Sequence, residues 1–273
     1  MKGENILKLY ILDTGYLVCD KNFVVGCSVV GLRSNPKIEN QMIRLPVMSF
    51  LIDTGDGYIL YDTGSNPDAM NGYWQNTMQE VYPLFQTDDQ RLENQLAKCG
   101  VKPEEIKTVV LSHMHLDHAG NMQLFPHADV YVPEKDYKNG LAAVFMNPDR
   151  EMHGGYIKGD MVRPAKYHLV SSDDDFELAP GVEVVNLPGH TEALLGLVVH
   201  LDSQTIVLPQ DAIYTAEIYG PPAKLSGFMF DSVSFQKSVE KVRRLVKKYD
   251  AKLIPAHDWE FFQTLDLAPK FYS

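Results

Sequence analysis

The stretch Leu111-Ser-His-Met-His-Leu-Asp-His-Ala-Gly120 constrains this chain more than any other. Within six positions it carries three imidazoles, His113, His115 and His118, and one carboxylate, Asp117. The chain has nine histidines in all, so three of them here is a local excess that needs a reason. Neutral imidazole and carboxylate are the ligands taken by zinc and neighbouring divalent transition metals. The preceding residues, Ile106 to Ser112, form a short apolar run rich in β-branched side chains and read as a buried strand. Ala119-Gly120-Asn121 then reads as a turn. The four groups therefore sit where a strand ends, which is where α/β folds place their chemistry. A solvated loop has no physical reason to space His-x-His-x-Asp-His in this way.

Three further residues share that context of a strand end followed by a turn. They are His190 in Leu187-Pro-Gly-His-Thr191, Asp211 in Leu208-Pro-Gln-Asp-Ala212 and His257 in Ile254-Pro-Ala-His-Asp258. Each alone reads more readily as a capping or core residue than as a ligand. With the cluster they make seven donors, five His and two Asp. That is too many for one tetrahedral zinc and suits two ions sharing a bridging carboxylate and a water.

The remaining pattern alternates strands and helices. An opening strand is expected over 6–12, then an irregular lid or subunit-contact segment over 13–44. A hairpin follows, with strands at 46–52 and 58–62 around Thr54-Gly-Asp-Gly57. It ends in Asp62-Thr63-Gly64, an acid placed to support a nearby metal site or to cap the next loop. The aromatic loop 65–87 is expected to wall a pocket. A capped helix spans 88–100. Strands follow at 107–111 and 129–132, with a helix opened by Pro133 and running to about 145. The second half repeats the theme, with strands near 166–170, 182–187, 194–201, 204–208 and 251–255 and an amphipathic helix over 232–249. Two stacked sheets flanked by helices, a four-layer αβ/βα sandwich of the α/β class in one domain spanning 1–273, accommodate this order.

His113-x-His115-x-Asp117-His118, then His190, Asp211 and His257 in that order, resemble the metallo-β-lactamase superfamily of dinuclear metal hydrolases. The resemblance runs from the Asp62-Thr-Gly64 strand end to His257. It implies that His113, His115 and His190 hold one divalent ion and that Asp117, His118 and His257 hold the other. Asp211 would bridge the two. Zinc is the first expectation, with iron, cobalt or manganese also accepted by such ligands. A narrower similarity is to the quorum-quenching N-acyl homoserine lactone lactonases. It is carried by Leu45-Pro46-Val47, Ser112 to Gly120, Asp211-Ala-Ile-Tyr214, Ala256-His257-Asp258 and the terminal Pro269-Lys-Phe-Tyr-Ser273. In that branch the tyrosine three residues after the bridging Asp points at the substrate carbonyl, a role that falls to Tyr214. The third-ligand motif departs from the branch, reading His190-Thr-Glu-Ala where His-x-Pro-Gly-His-Gln is usual. The implied activity is opening of a lactone ring by water activated between the ions. Tyr214 then steadies the oxyanion and Asp117 shuttles the proton. The alternative is hydrolysis of another ester or thioester, as in glyoxalase II-like enzymes, or of a β-lactam. Ser112 reads as a strand-end hydrogen-bonder, since nothing nearby serves it as a base. His153 is the one other histidine that could reach a pocket.

Composition narrows the partners. The formal net charge of -11 argues against a general binder of nucleic-acid backbone. No apolar run approaches the roughly 20 residues of a transmembrane helix, so no membrane partner is expected. The start, Met1 to Leu12, is interrupted by Lys8 and lacks a small-residue cleavage site, so it reads as a strand and not a signal peptide. Three cysteines, Cys19, Cys27 and Cys99, form no disulfide framework and favour a reducing cytoplasmic setting. A small lactone is the expected partner, and the 13–44 segment points to a homodimer.

Overall fold

The computed structural model describes residues 6–171 and 175–273. Two mixed sheets stack face to face. The first has the order β4 (Leu84–Phe85), β1 (Lys8–Asp20), β2 (Met42–Asp53), β3 (Tyr58–Tyr61), β5 (Ile106–Val110), β6 (Asp129–Pro133) and β7 (Lys166–Val170). β3, β5, β6 and β7 run parallel, so they carry their loops at one end. The second has the order β12 (Lys252–Leu253), β11 (Thr205–Leu208), β10 (Leu195–His200), β9 (Val182–Asn186) and β8 (Phe176–Ala179).

Side chains alternate across a strand, so each sheet has an inner and an outer apolar face. Phe50, Ile52, Tyr61 and Val110 meet Val184, Leu195, Leu197 and Ile206 between the sheets. Tyr61 also ties the layers with a hydrogen bond from its hydroxyl to the Leu195 carbonyl at 2.6 Å. The alternate residues Leu51, Leu60 and Val109 point outward, against Leu92 and Leu96 of α3 (Leu92–Lys98) and Val144 of α4 (Glu134–Met146). On the far side, Val185, Val198 and Val207 pack under Phe235, Val239 and Val242 of α7 (Ser232–Tyr249). The spacing of those three helix residues places them on one stripe of α7. The Asp231 carboxylate caps that helix by accepting from Ser234 N at 2.8 Å. This is the αβ/βα sandwich expected from the sequence. Short helices α1 (Lys21–Val24), α2 (Asn76–Val81), α5 (Lys158–Met161), α6 (Ala216–Tyr219) and α8 (Trp259–Phe262) sit in the connections.

The irregular segment expected over 13–44 is not irregular at its start. β1 continues to Asp20, pairing Tyr16 to Asp20 with β2 after a register shift between Asp13 and Tyr16. Gly15 reads as a break in the sequence, but it lies in this bulge, which bends a strand without ending it. Residues 25–41 hold only an isolated bridge between Leu32 and Asn35. The loop 65–87 likewise contains α2 and β4. Of the opening strand, residues 1–5 lie outside the described residues, and no helix among the described residues is long and apolar enough to cross a membrane.

Candidate metal centre

β5 delivers His113, His115, Asp117 and His118 at its C-terminal end, in the turn that follows the strand. His190 arrives after β9, Asp211 after β11 and His257 after β12. All seven side chains are buried. At His190 the approach is set by Gly189, whose backbone has φ +132° and whose added Cβ would lie 2.2 Å from Phe235 N, so only glycine fits there.

The donors fall into two groups. His113 Nε2, His115 Nδ1 and His190 Nε2 form a triangle with edges of 3.0, 3.0 and 3.2 Å. An ion with 2.0–2.1 Å bonds to nitrogen has tetrahedral edges of about 3.3 Å, so these three fit one. The second group is Asp117, His118 and His257. Asp117 Oδ2 stands 3.6 Å from His118 Nε2 and 3.7 Å from His257 Nε2. Asp211 lies between the groups. Its Oδ2 is 3.3 Å from His190 Nε2, while its Oδ1 is 3.2 Å from His118 Nε2 and 3.0 Å from His257 Nε2. His118 Nε2 is buried without a hydrogen-bond partner. A buried lone nitrogen costs free energy unless something takes it. A cation among these donors does so, and the residues present fit the divalent ions the sequence implies.

The opposite edge of most of these rings is held by the protein, which fixes which nitrogen faces the centre. His118 Nδ1 donates to Asp62 Oδ2 at 2.8 Å, and His257 Nδ1 donates to the Pro46 carbonyl at 2.9 Å. His113 Nδ1 meets Ser112 Oγ at 3.0 Å, and His190 Nδ1 meets the Tyr214 hydroxyl at 3.0 Å. With Nε2 turned to the centre, the Nδ1 of His190 carries the proton and donates it to Tyr214. The Tyr214 proton is then free to point at Asp211 or into the pocket. Burial, followed by the Asp211 carboxylate, pushes the Tyr214 hydroxyl well above its ordinary range, so it stays protonated.

Electrostatics separates the groups as well. Burial first, then neighbouring imidazoles, hold His113 and His115 well below the usual imidazole range, and burial lowers His190. They stand neutral, with lone pairs available. At His118 and His257 burial also opposes charge, but Asp211 and Asp117 outweigh it and raise both. Asp211 is held well below the usual carboxylate range, because His257, His118 and His190 outweigh its burial.

Asp62 takes the supporting place that the sequence offered it, whereas its partner Gln210, and Asp136, Gly155 and Phe228, carry no mark in the sequence. Asp62 accepts from Ser112 N at 2.6 Å and Ser112 Oγ at 2.8 Å, and also from the side-chain amide of Gln210. Asp136 accepts from Met114 N at 2.8 Å and from the Tyr156 hydroxyl at 2.6 Å, pinning the backbone between His113 and His115. Burial pushes its carboxyl up to about 7. Gly155 lies flat on His115, where a Cβ would come within 2.7 Å of the ring. The Phe228 ring covers His115 and His190, with centroids 5.9 Å from each. His153 is buried elsewhere, bonded through Nε2 to the Asn147 carbonyl at 2.9 Å, and does not line the pocket at the donors. His115, Asp117, His190, Asp211, Tyr214 and His257 make up most of the polar lining of that pocket, and its remaining wall is mostly apolar.

The sequence model described as "Metallo-beta-lactamase superfamily" matches residues 42–257. The N-acyl homoserine lactonase AiiB of Agrobacterium fabrum (strain C58) is 34% identical over 267 residues, covering 94% of this chain and 96% of that protein. An N-acyl homoserine lactonase of Bacillus thuringiensis is 27% identical over 271 residues, covering 97% of this chain and 99% of its own. Among solved structures, an N-acyl homoserine lactone hydrolase with N-hexanoyl-L-homoserine at its catalytic metal center superposes with a TM-score of 0.82. It is 24% identical, and the match covers 98% of this chain and 100% of that one. The fold and the extent of these matches agree: this chain belongs to the metallo-beta-lactamase superfamily.

Proposed function

We propose that this protein is a metal-dependent hydrolase that opens the lactone ring of N-acyl homoserine lactones. The observation that carries the reading is a pair of donor groups joined by Asp211 at the foot of a largely apolar pocket. That geometry suits an ester carbonyl at the donors and an aliphatic acyl chain along the wall. The names of the relatives, N-acyl homoserine lactonases matched along nearly their whole length, support the same substrate class. We assign His113, His115 and His190 to one divalent ion and Asp117, His118 and His257 to a second, with Asp211 shared. Zinc is the ion proposed, since five of the seven donors are imidazoles. The chain is proposed to work in the cytoplasm as a single domain, and as a homodimer.

Ions held by these residues supply Lewis acidity toward a carbonyl and a water acidic enough to react at neutral pH. The chain's own groups do the rest. Tyr214 presents a protonated hydroxyl to the carbonyl oxygen as it gains charge, a donor worth on the order of 3 kcal/mol when preorganised. Asp117 has Oδ2 among the ligands, which leaves Oδ1 to take the proton of the attacking water and return it to the leaving alkoxide. Leu17, Val24, Leu45 and Met78 wall the pocket and hold the acyl chain out of water, at about 0.8 kcal/mol for each methylene buried.

The test is acid release in a pH-stat from a homoserine lactone, a thioester and a β-lactam, offered to the metal-loaded protein. Ring opening of the lactone in preference to the other two supports the reading. Thioester turnover without lactone turnover overturns it.

A further inference from the structure

The polar side chains of the pocket are almost all committed. His115, Asp117, His190, Asp211 and His257 belong to the donor groups, and Tyr214 is bonded to His190. One remains. Tyr82 lines the same pocket, and its hydroxyl has no hydrogen-bond partner among the described residues. Tyr214, by contrast, is engaged at 3.0 Å.

Tyr82 is also held firmly. It closes α2, with its N–H bonded to the Met78 carbonyl at 2.8 Å. The next residue, Pro83, accepts from Val18 N of β1 at 3.2 Å, so this turn is fastened to the first sheet. The ring packs against Phe23 with centroids 5.5 Å apart. A half-buried phenol placed this way loses little further freedom when a ligand bonds to it. Burial, with Cys19, Asp117 and Asp211 as lesser contributors, pushes its hydroxyl up, which keeps the proton on at any working pH.

A lactone that carries an acyl amide has one polar feature besides the ring, the amide. The pocket has one polar side chain outside the donor groups and Tyr214. We infer that the Tyr82 hydroxyl donates a hydrogen bond to the carbonyl oxygen of the substrate's acyl amide. It is therefore a positioning residue that favours amide-bearing lactones over plain alkyl ones. This rests on the lactonase reading and adds to it. That reading needs only the ring and the chain, whereas Tyr82 requires the amide.

The experiment crosses two proteins with two substrates. Metal-loaded wild type and Tyr82→Phe are each assayed on N-hexanoyl homoserine lactone and on an amide-free γ-lactone bearing an alkyl chain of similar length. The measured quantity is the ratio of kcat/KM for the first substrate to that for the second. Loss of one neutral hydrogen bond that would otherwise satisfy a desolvated amide lowers that ratio about ten-fold in the variant, mostly through KM. A folding or metal-loading defect lowers both substrates alike and cancels in the ratio. A ratio equal to wild type overturns the role of Tyr82 while leaving the lactonase reading intact. A wild type that opens neither lactone overturns both.

Discussion

Asp62 and Gln210 hydrogen-bond to each other across the two sheets, and both do so from left-handed backbone, with φ 59° and 45°. Such a conformation costs a non-glycine residue on the order of 1–3 kcal/mol and persists only where the surroundings hold it. Here the return is clear. Asp62 sits at the end of β3 and holds His118, while Gln210 sits after β11 and precedes Asp211. Their contact ties the strand end behind one donor group to the residue before Asp211, whose carboxylate lies between the groups. Gln210→Ala removes the bond to a buried carboxylate and keeps the strain, so it is expected to lower unfolding free energy by about 2 kcal/mol. Gln210→Gly removes the same bond and the strain together, and should recover about 1 kcal/mol of that loss. Urea denaturation of both variants in chelator checks the order, with Ala below Gly.

Asp62 bonds directly to His118 of the second donor group and reaches the first only through the Ser112 hydroxyl, which meets His113. Asp62→Asn keeps the shape but removes the charge that receives the His118 Nδ1 proton. Loss of such a partner typically weakens a metal site 10- to 100-fold. Competition against a chromogenic chelator is expected to show that drop for one ion of the pair. Equal weakening of both would mean that Asp62 acts on the fold rather than on His118.

Tyr214→Phe removes the hydroxyl that receives His190 Nδ1 and faces the pocket. Turnover of the lactone is expected to fall by about 100-fold in kcat, matching one oxyanion donor. Bound metal, measured by elemental analysis, is expected to stay at the wild-type level. Unchanged kcat would return Tyr214 to a packing role.

Asp160 is fully buried, with Oδ1 accepting from the Tyr73 hydroxyl at 2.6 Å and Oδ2 without a partner. Burial pushes its carboxyl up to about 7, against an ordinary value of 3.8. Between these values the folded chain binds a proton that the unfolded chain has released. The contribution to stability is therefore full below about pH 4, declines as pH rises toward 7 and is flat above it. Asp160→Asn is expected to lose that slope. The stability difference between variant and wild type should move in favour of Asn by about 2 kcal/mol from pH 5 to pH 8. A constant difference across that range would contradict a protonated Asp160.

The residues with chemistry of their own were legible in the sequence, because imidazoles and carboxylates at strand ends stand out locally. The helix over 232–249 was legible for a similar reason, since an acid cap precedes a regular apolar stripe. What supports the donors was less visible. Gln210 and Asp62 are 148 positions apart, and nothing in Pro-Gln-Asp marks the glutamine as bent toward the other sheet. Asp136 looks like an ordinary acid in the first turn of a helix, a place that the helix dipole already favours. The second half of β1 was hidden by Gly15, which reads as a break and serves as a bulge. β8 was missed because its four residues alternate too briefly to stand out. Local patterns report local needs, while these residues answer to partners that only the fold brings near.

The central claim is that seven donors form two adjacent sites sharing Asp211. It is tested most directly by titrating chelator-stripped protein with cobalt(II) while following lactone opening in the same samples. Binding that saturates at two ions per chain, with hydrolysis rising as the second site fills, is the expected result. Saturation at one ion, or lactone hydrolysis that persists in the stripped protein, would contradict it.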